Sequence, residues 1–326
     1  SDLLLRSAIH DPLDGGFFGA RRSSGWDLPV FMKTVDTQSQ MAVGLVNASA
    51  LLNAPGHLEA ARLALEFAQQ HFGNGGDGLG AYESAPDRAI ETLVYLWSQE
   101  ALQELLTPEE FAVASAAFQT TGMGNIPPES DPKRDFFRKN SLGAKSSAQE
   151  IAAASGRDAS EVATLLDAVH RRLLAQREEV HARADTSFME TMRITATNAR
   201  YAHGAAHYAA VSGDAKWLKR SQEVLQNINE HHRSGNGTLM RFAIANNRRS
   251  IPARAEDYAA LMDAHLAVYR LDLDSAHLVQ ALALAKALLS DHLCPDGFIT
   301  EATKPEQVGD LPTYSDRMIF GDSTWG

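Results

Sequence analysis

A helical hydrophobic period, broken repeatedly by short Gly/Asp/Pro turns, most constrains what this chain can fold into. Tyr258, Leu261, Met262, His265 and Tyr269 fall at i, i+3, i+4, i+7 and i+11, on one helical face. Leu278, Ala281, Leu282, Ala285 and Leu289 do the same, as do Trp217, Leu218, Ser221, Val224, Leu225 and Ile228. The same pattern predicts helices near 36–53, 56–72, 108–119, 159–182 and 187–211. Thr107-Pro108-Glu109-Glu110 reads as a helix start: a capping side chain, a proline at the first turn, then acids at the positive dipole end. Breaks at 53–56, 212–214 and 271–274 join helices into hairpins.

A second repeat marks the far ends of these hairpins. Asp14-Gly15-Gly16-Phe17, Asp77-Gly78-Leu79-Gly80, Asn236-Gly237-Thr238-Leu239 and Asp296-Gly297-Phe298 share a tight turn followed by an apolar extended residue, with start-to-start spacings of 63, 159 and 60 residues. A period near 60 residues is one hairpin plus a connector, a unit that must stack on its neighbours to bury its apolar face. The expected fold class is all-α: an (α/α) toroid of helical hairpins with short β-hairpin connectors, forming one domain over residues 1–326. An unclosed helical solenoid fits the same pattern. Residues 92–97 read as a strand, 238–251 as a β-hairpin turning at Asn246-Asn247, and 120–145 as a long loop.

Composition narrows the function. The 326 residues carry 30 Lys+Arg against 41 Asp+Glu, a net charge of −11, which disfavours nucleic acid or an anionic membrane as the main partner. No apolar run reaches the roughly 18 residues of a membrane span, and residues 1–5 do not start like a signal peptide. The single cysteine, Cys294, makes no intramolecular disulfide or CxxC pair and fits a reducing compartment such as the cytoplasm or an organelle matrix.

Several segments, taken together, resemble a known family. They are Asp11-Pro12-Leu13-Asp14-Gly15-Gly16-Phe17-Phe18, Trp26, Pro29-Val30-Phe31-Met32-Lys33, Tyr95-Leu96-Trp97-Ser98 with Glu100, Gly124-Asn125, Lys139-Asn140-Ser141-Leu142, and Glu256-Asp257-Tyr258-Ala259 with Leu266 and Tyr269. Their order and spacing are similar to those of the family that includes spermatogenesis-associated protein 20 and its bacterial relatives. The resemblance implies a six-hairpin, glycosidase-like toroid, which in that family follows a thioredoxin-like domain. The departures are specific. The family's Pro-His-Phe-Glu-Lys reads Pro29-Val30-Phe31-Met32-Lys33 here, so the His and Glu are replaced. Thr191-Met192-Arg193 stands where the family has Trp-Asn-Gly. The thioredoxin-like domain and the first hairpin of the ring do not precede Ser1, so the expectation is a fragment, a processed product or a divergent paralogue.

A toroid of this kind would place the N-terminal ends of its inner helices, here 32–52, 187–211 and 255–270, around one rim. Sugar chemistry needs carboxylates, and the catalytic candidates are Glu256, Asp257 and Asp185, with Glu190 and Asp27 as further acids near the same rim. The substrate-binding candidates are Trp26, Asp27, Lys33, Gln38, Arg193, Arg254 and Tyr258. The competing reading of Glu256 and Asp257 is that they only cap a helix. His203 and His207 have the i, i+4 spacing of a metal pair, yet no Glu follows His203, and packed histidines are expected instead, as for His265. Residues 73–78 are glycine-rich but open no βα unit, and Arg241, Arg248, Arg249 and Arg254 form a basic stretch expected to be solvated. No metal and no cofactor is expected. Two functional readings stand. One is a divergent glycosidase-like protein that binds or processes a carbohydrate-like molecule. The other is a catalytically degenerate toroid that serves as an interaction subunit, with a protein or the missing thioredoxin-like domain as partner.

Overall fold

Side chains just ahead of the helices set where many of them begin. In the computed structural model, which describes residues 2–22, 24–73, 78–84, 88–184, 188–190, 192–243, 251–294 and 297–301, Thr34 accepts the Thr37 amide and Ser98 accepts the Ala101 amide. Thr107 and Ser147 each form a full capping box, with Glu110 and Glu150 reaching back to the cap amide. The predicted start at Thr107 is therefore present. The chain packs as two compact units, Ser1–Gln70 with Tyr82–Glu190, and His71–Ala81 with Thr191–Gly326.

The first unit contains α1 (Asp2–Arg6), β1 (Ala20–Arg21), β2 (Pro29–Val30), β3 (Met32–Thr34), α2 (Val35–Leu52) and most of α3 (Pro55–Phe72). It continues with β4 (Tyr82–Ser84), α4 (Arg88–Val94), β5 (Leu96–Trp97), α5 (Gln99–Leu105) and α6 (Pro108–Phe118). β6 (Asn140–Ser141), α7 (Ala148–Ser155), α8 (Ala159–Ala184) and β7 (Phe188–Glu190) complete it. The strands are short antiparallel connectors. Lys33 pairs with Glu83 and Glu83 with Met189 in a three-stranded patch, Ala20 pairs with Val30, and Leu96 pairs with Ser141. One core cluster joins Leu102, Val113 and Phe118 to Val162, Val169 and Leu173 of α8, and a second gathers Phe18, Phe31, Tyr95 and Phe136.

One sequence expectation is corrected here. Residues 92–94 are helical, the end of α4, and only Leu96 and Trp97 form a strand. β propensity at Thr92 and Val94 yields to packing, because Glu91 is buried in an ion pair with Arg22 and accepts the Tyr95 amide at its carbonyl, which keeps the turn helical. The segment 120–145 is a loop as expected, except for the two residues of β6.

The second unit is built on α9 (Thr195–Ser212), which packs against α10 (Ala215–His231) and α11 (Ala255–Asp272), while α12 (Ser275–His292) packs on α11. α10, α11 and α12 match the predicted periods, but the predicted helix 187–211 begins only at Thr195, because residues 188–190 pair as β7 and Ile194 is extended at the helix cap. α9 is lined with Ala196, Ala199, Ala202, Gly204, Ala205 and Ala206, and these small residues let both neighbours approach closely. Trp217, Leu225, Ile228 and Leu261 fill the spaces between helices. The last two hairpins end alike. His232 and His292 close α10 and α12, the chain turns through Gly237 and Gly297 at φ +86°, and the Met240 and Thr300 amides return to the His232 and His292 carbonyls. The predicted 238–251 hairpin is seen at its open end, where Met240 bridges Pro252. Its Asn246-Asn247 turn lies outside the described residues. The chain is thus all-α in class, helical hairpins linked by short β connectors. No helix among the described residues is long and apolar enough to cross a membrane.

Candidate functional site

The N-terminal end of α11 gathers most of the charge that the sequence singles out. Asp257 sits at the third helical position and is fully buried. Its Oδ1 accepts the Ala196 amide at 2.9 Å, and its Oδ2 accepts the Arg254 amide at 2.8 Å and Arg241 Nη1 at 3.2 Å. Glu256, one residue earlier, stays partly exposed. Its Oε1 lies 2.7 Å from Arg241 Nη2 and its Oε2 3.2 Å from Arg200 Nη2. Arg241 therefore forks across both acids. Glu301 joins the group through its backbone, since its carbonyl accepts the Ala255 amide, and its carboxylate makes no hydrogen bond or ion pair among the described residues.

These three acids differ in proton affinity. Burial pushes the Glu301 carboxyl above its ordinary value, and the neighbouring Glu256 charge adds to that. Burial also acts on Glu256, but hydrogen bonds and charges from Arg241 and Arg200 outweigh it and hold the group low. Asp257 is raised by burial in spite of its backbone donors and Arg241. Two neighbouring carboxyls are thus shifted in opposite directions, Glu256 down and Glu301 up. The sequence reading missed Glu301, Arg241 as a fork and Arg200. The nearest sequence signal is the basic stretch from Arg241 to Arg254, but Arg241 is half-buried and paired with Glu256 and Asp257 rather than solvated.

The other candidates have other settings. Arg254 supplies its backbone amide to Asp257. Arg193 Nε donates to the Gly78 carbonyl at 3.3 Å, beside Asn198, which clamps Leu79 through both its amide and its carbonyl. Tyr258 is buried edge-on against His292, so it serves the core. Asp185 lies outside the described residues. His203 and His207 stack with ring centroids 6.0 Å apart, and among the described residues no cluster of three or more His, Cys, Asp or Glu side chains could hold a metal.

In the first unit, Lys33 and Gln38 both serve the Asp11–Phe18 turn. Lys33 Nζ lies 3.0 Å from Asp11 Oδ2 and 2.5 Å from Asp14 Oδ1, while Arg177 Nη1 lies 2.7 Å from Asp11 and 3.3 Å from Asp14. The Lys33 ammonium also sits over the Phe18 and Phe67 rings. Burial opposes the Asp11 charge, but Arg177 and Lys33 overcome it and hold the carboxyl well below the usual carboxylate range. Gln38 accepts the Phe17 amide and donates to the Phe17 carbonyl, each at 2.8 Å. The motif that carried the resemblance is therefore an internal structural cluster. Trp26 is partly exposed with Arg21 over its ring, and Asp27 pairs with Lys145 at 2.8 Å, beside a cavity of about 100 Å3 that also touches Asn125. Arg177 had no sequence signal, because its partners lie more than 160 residues away.

The chain is a helical-hairpin protein with a charged cluster at one helix start. No family model matches it. It is similar to human spermatogenesis-associated protein 20, at 24% identity over 306 residues, and to the rat and mouse proteins of that name, at 23% over 307 residues. The human match covers 86% of this chain and 38% of that protein, so the chain spans well under half the length of the curated relatives it matches. The resemblance read from the motifs is thus to the proteins that the sequence comparison finds. Among solved structures, it is similar to a sugar epimerase from a ruminal bacterium, at 13% identity and TM-score 0.49, covering 90% of this chain and 55% of that one. It is also similar to the cellobiose 2-epimerase of Spirochaeta thermophila, at 13% identity and TM-score 0.47, covering 92% and 52%.

Proposed function

We propose that this chain binds a neutral, hydroxyl-rich ligand of the carbohydrate type at the N-terminal end of α11. The observation that carries the reading is the contrast between Glu256 and Glu301. In one cluster, Glu256 is paired with Arg241 and Arg200, which lower its carboxyl, and burial raises the Glu301 carboxyl beside it. Such a pair can accept and donate a proton across a hydroxyl or carbonyl, and the arginine forks supply fixed donors. Arg254 and Arg193 belong to the same unit and are proposed as outer contacts. Three acids and a chain charge of −11 disfavour an anionic ligand. Asp257 acts as a positioning residue that fixes the helix start, and Asp185 remains the candidate partner acid.

The test is calorimetry with mono- and disaccharides on the full chain, repeated with Glu256→Gln and Glu301→Gln. A ligand bound by the folded state also raises its melting temperature, and more so at higher ligand concentration. Saturable binding that both variants weaken supports the site. Binding that neither variant alters overturns it.

One observation favours the second reading. Asp257, Lys33 and Gln38 are all consumed by internal bonds, and Val30 and Met32 occupy short β connectors where the resembling family has His and Glu. Absence of binding by every sugar would shift the proposal to an interaction subunit.

A further inference from the structure

α12 packs on α11 and buries Ala281, Leu284 and Leu288, while Ala276 and Gln280 line the groove it shares with α10. Its remaining flank is apolar too. Val279, Leu282, Leu289 and Leu293, the last just past the helix end, are 62%, 54%, 50% and 46% exposed. With Lys286 they fall at i, i+3, i+7, i+10 and i+14, one straight row along the helix. Leu282 and Leu289 belong to the helical period that predicts burial, yet both face solvent. α10 holds the equivalent place in the preceding hairpin and exposes Lys216, Lys219, Glu223 and Glu230 instead. Single exposed leucines are ordinary, but a continuous row marks a contact surface, and a helix apolar all round is a helix to be buried.

The spacing and Lys286 together say what fits. Apolar residues repeating every 3.5 positions interlock with the side chains of one further helix. Lys286 is exposed in the middle of the row and makes no ion pair among the described residues. The row is symmetric about it, with Val279 and Leu293 at equal distances along the sequence. Two copies of α12 paired centre to centre, in either direction, would set Lys286 against Lys286, a like-charge contact that opposes pairing. We infer that this flank of α12 docks an amphipathic helix of a different polypeptide, with apolar residues at coiled-coil spacing and one acidic residue opposite Lys286. The carbohydrate proposal concerns the start of α11, and this one does not rest on it.

The probe is a labelled synthetic helix of three heptads, with Leu at the a and d positions and Glu at the central a, titrated with the full chain by fluorescence anisotropy. A second peptide carries Lys in place of that Glu. The expected result is saturable binding of the Glu peptide, about tenfold weaker binding of the Lys peptide, and a loss of about tenfold or more in Leu282→Asp. Lys286→Glu should reverse the order of the two peptides, which non-specific adhesion would not do. Both positions are exposed, so neither substitution removes core packing. Equal binding of the two peptides, an unchanged order in Lys286→Glu, or no saturable binding of the Glu peptide would each overturn the inference. So would a dimer of the chain alone, seen by sedimentation and dissociated by Leu282→Asp, because a second copy would then occupy the flank.

Discussion

Asp257 Oδ1 accepts the Ala196 amide at 2.9 Å, which ties the first turn of α11 to the first turn of α9. The same carboxylate caps its own helix through Arg254 and pairs with Arg241. Replacing it with Ala would leave two backbone donors and one guanidinium without their acceptor in a buried place. The expected loss is about 3 kcal/mol or more of unfolding free energy. Asp257→Asn keeps one acceptor oxygen and should lose less. Urea unfolding of the two variants checks the order, and equal losses would show that the charge, not the cap, matters.

Lys33 and Arg177 neutralise Asp11 and Asp14 inside the first unit. Lys33→Met leaves two buried acids sharing one cation, and a loss of about 3–5 kcal/mol is expected. The Asp11 carboxyl lies below its unfolded value, so its contribution is complete above about pH 4 and is lost as pH falls further toward the folded value. In the unaltered chain, unfolding free energy should therefore drop below about pH 4. In Asp11→Asn that part of the acid slope should vanish. An unchanged slope would contradict the assignment.

His232 adds a second loss of stability on acidification, in a higher pH window. Thr195 Oγ1 donates to the Met240 carbonyl at 2.6 Å and lies 2.7 Å from His232 Nδ1, so the proton belongs on Nδ1. Nε2 is then a bare buried acceptor without a partner. Burial, with the nearby charges of His231 and Arg193, lowers the pKa to about 4. His265, which faces His277 at 3.0 Å, is also lowered to about 4 by burial, then by His277 and Arg233. Both are neutral in the folded chain and protonate in the unfolded chain near pH 6.5. Stability should thus be complete above about pH 6.5 and decline as pH falls from there to about 4, by roughly 1.4 kcal/mol per unit of depression for each group. Thermal unfolding across that window checks it, and His265→Gln should flatten the decline.

Asn140 holds the loop ahead of it. Its Nδ2 donates to the Trp97 and Thr121 carbonyls, each at 3.1 Å, and its Oδ1 accepts the Thr121 amide at 2.9 Å, with no exposure to solvent. Asn140→Asp would turn two donated bonds into carboxylate facing carbonyl oxygens. It should cost at least as much as Asn140→Ala, for which about 2–3 kcal/mol is expected. Chemical unfolding of the pair decides this. A milder effect for Asp would show that the loop relaxes around it.

Much of this architecture is legible in the residues alone. The 3.6-residue period locates α10 to α12 to within a few residues, while α9 starts well inside the predicted 187–211, and the Thr107 capping box marks α6. Repeated Asx-Gly turns mark the hairpin ends because a tight reversal needs a backbone that glycine adopts freely. These signals are local: burial on one face, a cap and a turn are each set by residues a few places apart. The roles of the polar residues are not local. Lys33 and Gln38 read as ligand contacts but serve the Asp11–Phe18 turn, and Glu301 becomes a site candidate only because the backbone beyond α12 returns to the start of α11. Arg177 meets Asp11 across 166 residues and Arg22 meets Glu91 across 69, pairings that no propensity scale contains. Hydrophobic pattern tells each helix which face to bury. Only the packed structure decides which charges meet, because pairing energy depends on distance and burial, and neither is set until the helices pack.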